Sequence, residues 1–171
     1  GAGGLNLFDS WENAPALPPG GWSLSNQAGQ VGWEFGAVCS NYTDGPTSFP
    51  SASLGFATNL CGDYDSSSDN SLISPNYFVP VGASARFVWK HWMCSEDTWD
   101  GGALYYSVNG GNWIQAYVNT GNGTNWYDGT ITNTFAFSGT DVWDGRQYVN
   151  AAGAFSCSST VNIPWLDMEY D

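Results

Sequence analysis

A chain of 171 residues with 3 Lys plus Arg against 16 Asp plus Glu carries a formal charge of -13. Such a surface repels nucleic acid and anionic membranes, and no apolar run approaches the roughly 20 residues that span a bilayer. With 11% charged, 42% hydrophobic and 16% aromatic residues, this is no solvated acidic tail: it has the apolar area to fold, as one domain over residues 1–171.

Helical periodicity is absent. Short alternating or apolar runs bounded by Gly, Pro, Asn and Asp recur instead, which predicts an all-β antiparallel chain. In chain order, the predicted strands begin with residues 32–38, 53–58 and 72–78. The next, at 85–94, is the clearest: period-two geometry places Phe87, Trp89, His91 and Met93 on an inward face and Arg86, Val88, Lys90, Trp92 and Cys94 on the other. His91, the sole histidine, reads there as a structural core residue rather than a base. Residues 96–102 read as a connecting loop. Strands at 103–108 and 113–118 flank Asn109-Gly110-Gly111-Asn112, whose tolerance of positive φ predicts a tight hairpin. A last strand is expected at 130–137. An aromatic-Asp-Gly triplet occurs three times, at Trp99-Asp100-Gly101, Tyr127-Asp128-Gly129 and Trp143-Asp144-Gly145, and reads as three separate turns.

The glycine-rich, lysine-poor composition, with Asn, Ser and Thr at polar positions, suits short strands and tight turns exposed outside a cell. The start at Gly1 reads as a mature or trimmed end. Cys39, Cys61, Cys94 and Cys157 include no C-x-x-C pair, so disulfides are preferred to a zinc knuckle. Of three possible pairings, Cys39 with Cys61 and Cys94 with Cys157 is favoured, because the first closes one loop region and the second staples distant strands.

Several segments, in order, resemble a known family. They are Leu7-Phe8-Asp9-Ser10-Trp11-Glu12, Leu17-Pro18-Pro19-Gly20-Gly21-Trp22, Ala57-Thr58-Asn59, Gly62-Asp63-Tyr64 and Leu72-Ile73-Ser74-Pro75. Phe87-x-Trp89-x-His91, Glu96, Trp99-Asp100-Gly101-Gly102, Tyr106-Ser107-Val108-Asn109-Gly110-Gly111 and Trp113 follow. This run resembles extracellular jelly-roll modules of bacteria and archaea related to the MAM domain and to the β-sandwich of immune-inhibitor-A-like secreted metallopeptidases. The resemblance covers most of residues 7–118 and implies a jelly-roll β-sandwich. It also implies that the opening acid, here Asp9 with Glu12 nearby, ligates an ion. The family's closing strands find only a partial echo in Pro164-Trp165-Leu166-Asp167. The expectation is therefore an open edge, either because the chain is a fragment or because a donated strand completes it.

Candidate sites follow from residue chemistry. Oxygen-rich loops suit one structural Ca²⁺, and the candidates are Asp9 with Glu12, Asp63 with Asp65, Asp69 and Asn70, and Glu96 with Asp97 and Asp100. Tryptophan faces stack on pyranose rings while acids bond hydroxyls, which singles out Trp99, Trp126 and Trp143 with Asp128 and Asp144. Asn41 and Asn122 begin glycosylation sequons. Asp167 and Glu169 share a strand face as glycosidase carboxylates do, but the first Glu of that pattern is missing. No nucleophile–base pair or H-E-x-x-H motif occurs. The sequence therefore predicts a secreted or cell-surface β-sandwich without a catalytic site, a binding or adhesion module accessory to a larger protein, with a glycan or a cell-surface protein as partner. The alternatives are a filament subunit assembled by strand exchange and a glycoside hydrolase.

Overall fold

In the computed structural model, residues 20–42, 44–50, 53–96, 98–117, 123–124, 126–132, 137–145 and 165–171 are described. Their regular structure consists of β-strands, all paired antiparallel, in sheets of two or three strands. The chain divides into two compact units, Gly1–Phe78 and Val79–Asp171. The Asp9 and Glu12 ligand pair, Asp97, Asn122 and Cys157 lie outside the described residues.

In the first unit, β1 (Ser23–Ser25) pairs with β4 (Ser71–Ile73), and β2 (Trp33–Gly36) with β3 (Gly55–Thr58). The strand predicted over 72–78 stops early because Pro75 follows Ser74 and proline has no N–H to extend a ladder. Phe35 and Phe56 sit opposite each other across β2 and β3 with ring centroids 5.0 Å apart, and Trp22 reaches Phe56 at 5.2 Å. The rest of the unit is held by polar side chains bonding backbone. Asn26 acts as a surrogate strand neighbour, accepting from Trp33 N–H at 2.9 Å and donating to Trp33 C=O at 3.1 Å. Glu34 accepts from Leu60 N–H at 2.7 Å. Cys39 and Cys61 form a disulfide across 22 residues, as expected.

In the second unit, β5 (Phe87–His91) pairs with β12 (Leu166–Tyr170), which also pairs with β9 (Gly123–Thr124). The C-terminal segment is thus the middle strand of a three-stranded sheet. Sequence already contained the reason: Leu166, Met168 and Tyr170 alternate with Asp167, Glu169 and Asp171. The register sets Met168 opposite Trp89 and Asp167 opposite Lys90, so apolar meets apolar on one face and acid meets base on the other. Lys90 pairs with Asp167 and Arg86 with Glu169, with Asp171 3.7 Å from Arg86. Met168 is 1% exposed. Cys94 is disulfide-bonded.

The second three-stranded sheet runs β10 (Gly129–Thr130), β11 (Asp141–Asp144), β6 (Gly101–Gly102). It gathers all three aromatic-Asp-Gly triplets, which the sequence alone assigns to separate turns. Glycine is needed where strands approach this closely: a Cβ at Gly129 would collide with the Asp144 carboxylate, and one at Gly101 would lie 2.6 Å from Val142 Cγ2. The predicted hairpin is present as β7 (Tyr105–Tyr106) and β8 (Ile114–Gln115). Its turn has positive φ at Asn109 (53°) and Gly110 (70°) and is closed by Gly111 N–H donating to Val108 C=O at 3.0 Å, the type I′ signature.

Candidate functional site

The described part of the second unit carries a core of aromatic rings around Trp143. Tyr127, His91, Trp126 and Trp89 place their ring centroids 4.6, 4.9, 5.4 and 5.9 Å from it. Trp143 is only 4% exposed. This corrects the expectation that it offers a stacking face: in β11 the side chain turns inward, and its ring edge lies 3.9 Å from where a Cβ of Gly102 would stand. Asp144 is likewise buried, and its carboxylate accepts from Thr98 N–H at 2.9 Å instead of facing a ligand. His91 is the structural core residue expected; burial alone lowers its pKa to about 4.

On the flank of this core lies a concavity of about 340 Å³. Trp126, Tyr127 and Tyr117 supply its aromatic wall, and Asp128, Thr130 and Asp141 its polar one. Each is fixed by a separate device. Trp126 stacks on Tyr170 of β12 at 5.2 Å and leans on Tyr127 at 5.1 Å. Its indole Nε1 is buried and has no hydrogen-bond partner among the described residues. The Tyr127 hydroxyl accepts from Leu104 N–H at 2.9 Å and donates to Leu104 C=O at 3.2 Å; burial pushes its pKa up to about 12, so it stays a neutral phenol. Tyr117 is 54% exposed and donates its hydroxyl to Gln115 Oε1 at 2.8 Å. Gln115 in turn donates from Nε2 to Asp141 C=O at 2.6 Å, tying the hairpin wall to β11. Opposite each other in the β10–β11 ladder, Thr130 donates from Oγ1 to Asp141 Oδ1 at 2.9 Å. Asp128 Oδ1 receives the Asp144 N–H at 3.3 Å.

The structure therefore brings together two of the five sequence-predicted ligand residues, Trp126 and Asp128. Trp99 is exposed at 51% but does not line the concavity; it sits in a turn where its N–H and that of Asp100 both donate to Glu96 C=O. Tyr117, Thr130 and Asp141 escape sequence reading. The signal available was the pairing of two aromatic-Asp-Gly triplets, which sets the residues beside them edge to edge.

The acidic loops have other uses. Asp63 accepts from the Tyr42 hydroxyl at 2.7 Å and Asp65 from Val31 N–H at 2.6 Å, while Asp69 N–H donates to Gln27 Oε1 at 3.0 Å and Asn70 Oδ1 accepts from Gln27 N–H at 2.8 Å. Among the described residues no three His, Cys, Asp or Glu side chains, Glu96 and Asp100 included, are grouped so as to hold a metal ion. Burial, followed by the bond to Asp63, drives the Tyr42 hydroxyl pKa upward. Asp167 and Glu169 lie on the outer face of β12 in the ion pairs with Lys90 and Arg86. Asn41 is exposed in a turn.

No family model matches the chain, and no solved structure matches it. Bacillopeptidase F of Bacillus subtilis (strain 168) is 31% identical to it over 125 residues, which are 72% of this chain and 8% of that protein. The chain thus spans a small fraction of a much longer peptidase.

Proposed function

We propose that this chain is a non-catalytic extracellular module, accessory to a larger protein, that holds a saccharide in the groove of its second unit. One observation carries the reading. Tyr117 and Trp126 line the same concavity as Asp128, Thr130 and Asp141, and pyranose recognition requires an aromatic ring for the sugar's C–H surface with polar groups beside it for the hydroxyls. The wall is preorganised, since Gln115 and Leu104 fix the two tyrosines, and fixed side chains lose little entropy on binding. The accessory role is supported by similarity to a small part of a peptidase and, together with the resemblance to MAM-related modules, suits a tethering function that raises local concentration. The Cys39–Cys61 disulfide is consistent with an oxidising, extracellular setting.

The test is an oligosaccharide array followed by calorimetry with Tyr117→Ala. Because Tyr117 is largely exposed, this variant keeps the fold while removing the stacking face. A loss of about tenfold in affinity is expected, equivalent to the low end of an aromatic anchor. Unchanged affinity, or no saccharide bound by the parent chain, overturns the reading.

A further inference from the structure

Resting on that reading, we propose that the ligand is an extended, unbranched saccharide chain whose further units leave the groove and lie along one face of the β7–β8 hairpin, over Tyr117, Tyr105 and Trp113. The concavity of about 340 Å³ is at the small end of the roughly 300–1,000 Å³ usual for ligand sites, so it encloses only a short piece of such a chain. Its aromatic lining does not stop at the rim. Tyr105 stands directly opposite Gln115 in the ladder, and Ala116 N–H donates to Leu104 C=O at 2.8 Å, which carries the same register on towards Tyr117. Side chains alternate along a strand, so Tyr105, Gln115 and Tyr117 share one face, and Trp113, two residues before Gln115, takes its place on it too. Burial, and then the nearby Tyr117 hydroxyl, raise the Tyr105 pKa, in keeping with side chains that meet diagonally across a ladder at about 7–8 Å.

The other face of the hairpin is the one the fold uses: Ala116 is fully buried there, and Tyr106 reaches Tyr170 at 6.3 Å. The Gln115 face keeps its rings in water, with Trp113 59% exposed and Tyr105 and Tyr117 exposed beside it. Trp113 is the telling residue. Among the described residues it has neither a hydrogen bond nor a ring partner, so folding gains little from it, and exposed aromatic surface continuous with a binding groove marks a contact site. From Trp113 to Tyr117 the face extends about 13 Å, at about 3.3 Å per strand residue, which is more than one sugar ring covers. Gln115, bonded to both Tyr117 and Asp141 C=O, holds this face against the groove, and a face fixed in advance loses little entropy on binding. Equatorially linked pyranose chains run straight and present their ring faces, which suits a row of aromatic side chains, whereas axially linked chains coil away from it. Acidic polysaccharides are disfavoured by the formal charge of -13.

The experiment is calorimetric titration of the full chain with cellobiose, cellohexaose, N-acetylchitobiose, N-acetylchitohexaose and maltohexaose. The expected result is that the hexamer of at least one equatorially linked series binds about tenfold tighter than its own dimer, and tighter than maltohexaose, since each added aromatic contact is worth about two- to tenfold in affinity. Trp113→Ala should cut that hexamer-to-dimer ratio to about threefold or less, and Trp113→Phe, which keeps a ring face, should restore most of it. The variant separates stacking on the hairpin from the greater number of registers that a longer chain offers, which it does not change. Equal affinity for hexamer and dimer, a ratio that Trp113→Ala leaves unaltered, or maltohexaose binding as tightly as the straight chains overturns the extended track and leaves saccharide binding in the groove standing. Binding of none of the five sugars overturns the track, and the oligosaccharide array then decides whether the groove reading falls with it. Dimerisation of the parent chain that Trp113→Ala abolishes, followed by analytical ultracentrifugation, assigns the face to a second copy and overturns the track as well.

Discussion

The two units solve the same problem, keeping short strands together, with different chemistry. Among the described residues, the buried apolar side chains of the second unit are Cys94, Ala116, Ile131, Val142, Trp143 and Met168, whereas the first unit contributes Phe35. Both units contain a disulfide-bonded cysteine; the first adds Asn26, Glu34, Asp65 and Asn70, each satisfying a backbone group. A two-strand pair cannot bury both faces, so its stability comes from cross-links and polar stitching. A unit that gathers rings from β5, β11 and β12 has a core, and a core gives a rigid base on which a groove can be built.

The contrast breaks most sharply at Trp143. Its ring touches four other aromatic rings at once, and emptying such a site removes transfer energy and leaves a cavity. Trp143→Ala should destabilise the second unit by about 3–5 kcal/mol, seen as loss of near-ultraviolet circular dichroism and of groove binding. The matching lesion in the first unit is Cys39→Ser with Cys61→Ser. Opening a loop of 22 residues should cost about 3 kcal/mol. Hydrogen exchange should then accelerate at β2 and β3 while β5 and β12 stay protected. Uniform acceleration in both units would contradict the division of labour.

How much of this was legible beforehand follows from range. β5 is visible in sequence because Trp89 and His91, the less exposed side chains, alternate with Val88 and Lys90. The β7–β8 turn is visible because Asn109-Gly110 is a local steric solution. β11 is not. Asp141–Asp144 looks like a turn until β6 and β10 flank it, and those strands are glycine pairs and short runs with no periodicity to detect. Trp143 is buried because Trp89, His91, Trp126 and Tyr127 converge on it from elsewhere in the chain, a condition that no window around Trp143 contains. The groove was half legible for the same reason: Trp126 and Asp128 stand out by type, but Tyr117 joins them only through Gln115 and its bond to β11.

His91 sharpens the comparison by pH, since the first unit has no histidine. Its folded pKa of about 4 lies below the unfolded value of 6.5. Above about pH 6.5 both states are neutral and the residue contributes nothing to the pH slope. Between about 6.5 and 4 the unfolded chain takes a proton that the folded core refuses, so stability falls as pH falls. Roughly 2 kcal/mol should be lost between about pH 7.5 and 5. His91→Phe should flatten that slope in the second unit, measured by urea unfolding at both pH values, while the first unit's slope is unaltered.

The smallest effect tests how the last strand finds its place. Lys90 faces Asp167 across the β5–β12 ladder, and both side chains are largely in water, at 43% and 77% exposure. Exposed pairs of this kind add at most about 1 kcal/mol, so their value lies in register: a slip of one residue would bring Asp167 into the core and Met168 out of it. Lys90→Glu sets like charges opposite one another and should cost about 1 kcal/mol. Adding Asp167→Lys restores the attraction with its direction reversed, and stability should return to within about 0.5 kcal/mol of the parent. If the double variant stays as unstable as the single one, the ion pair is incidental, and the alternation of Leu166, Met168 and Tyr170 with the acids sets the register of β12 by burial alone.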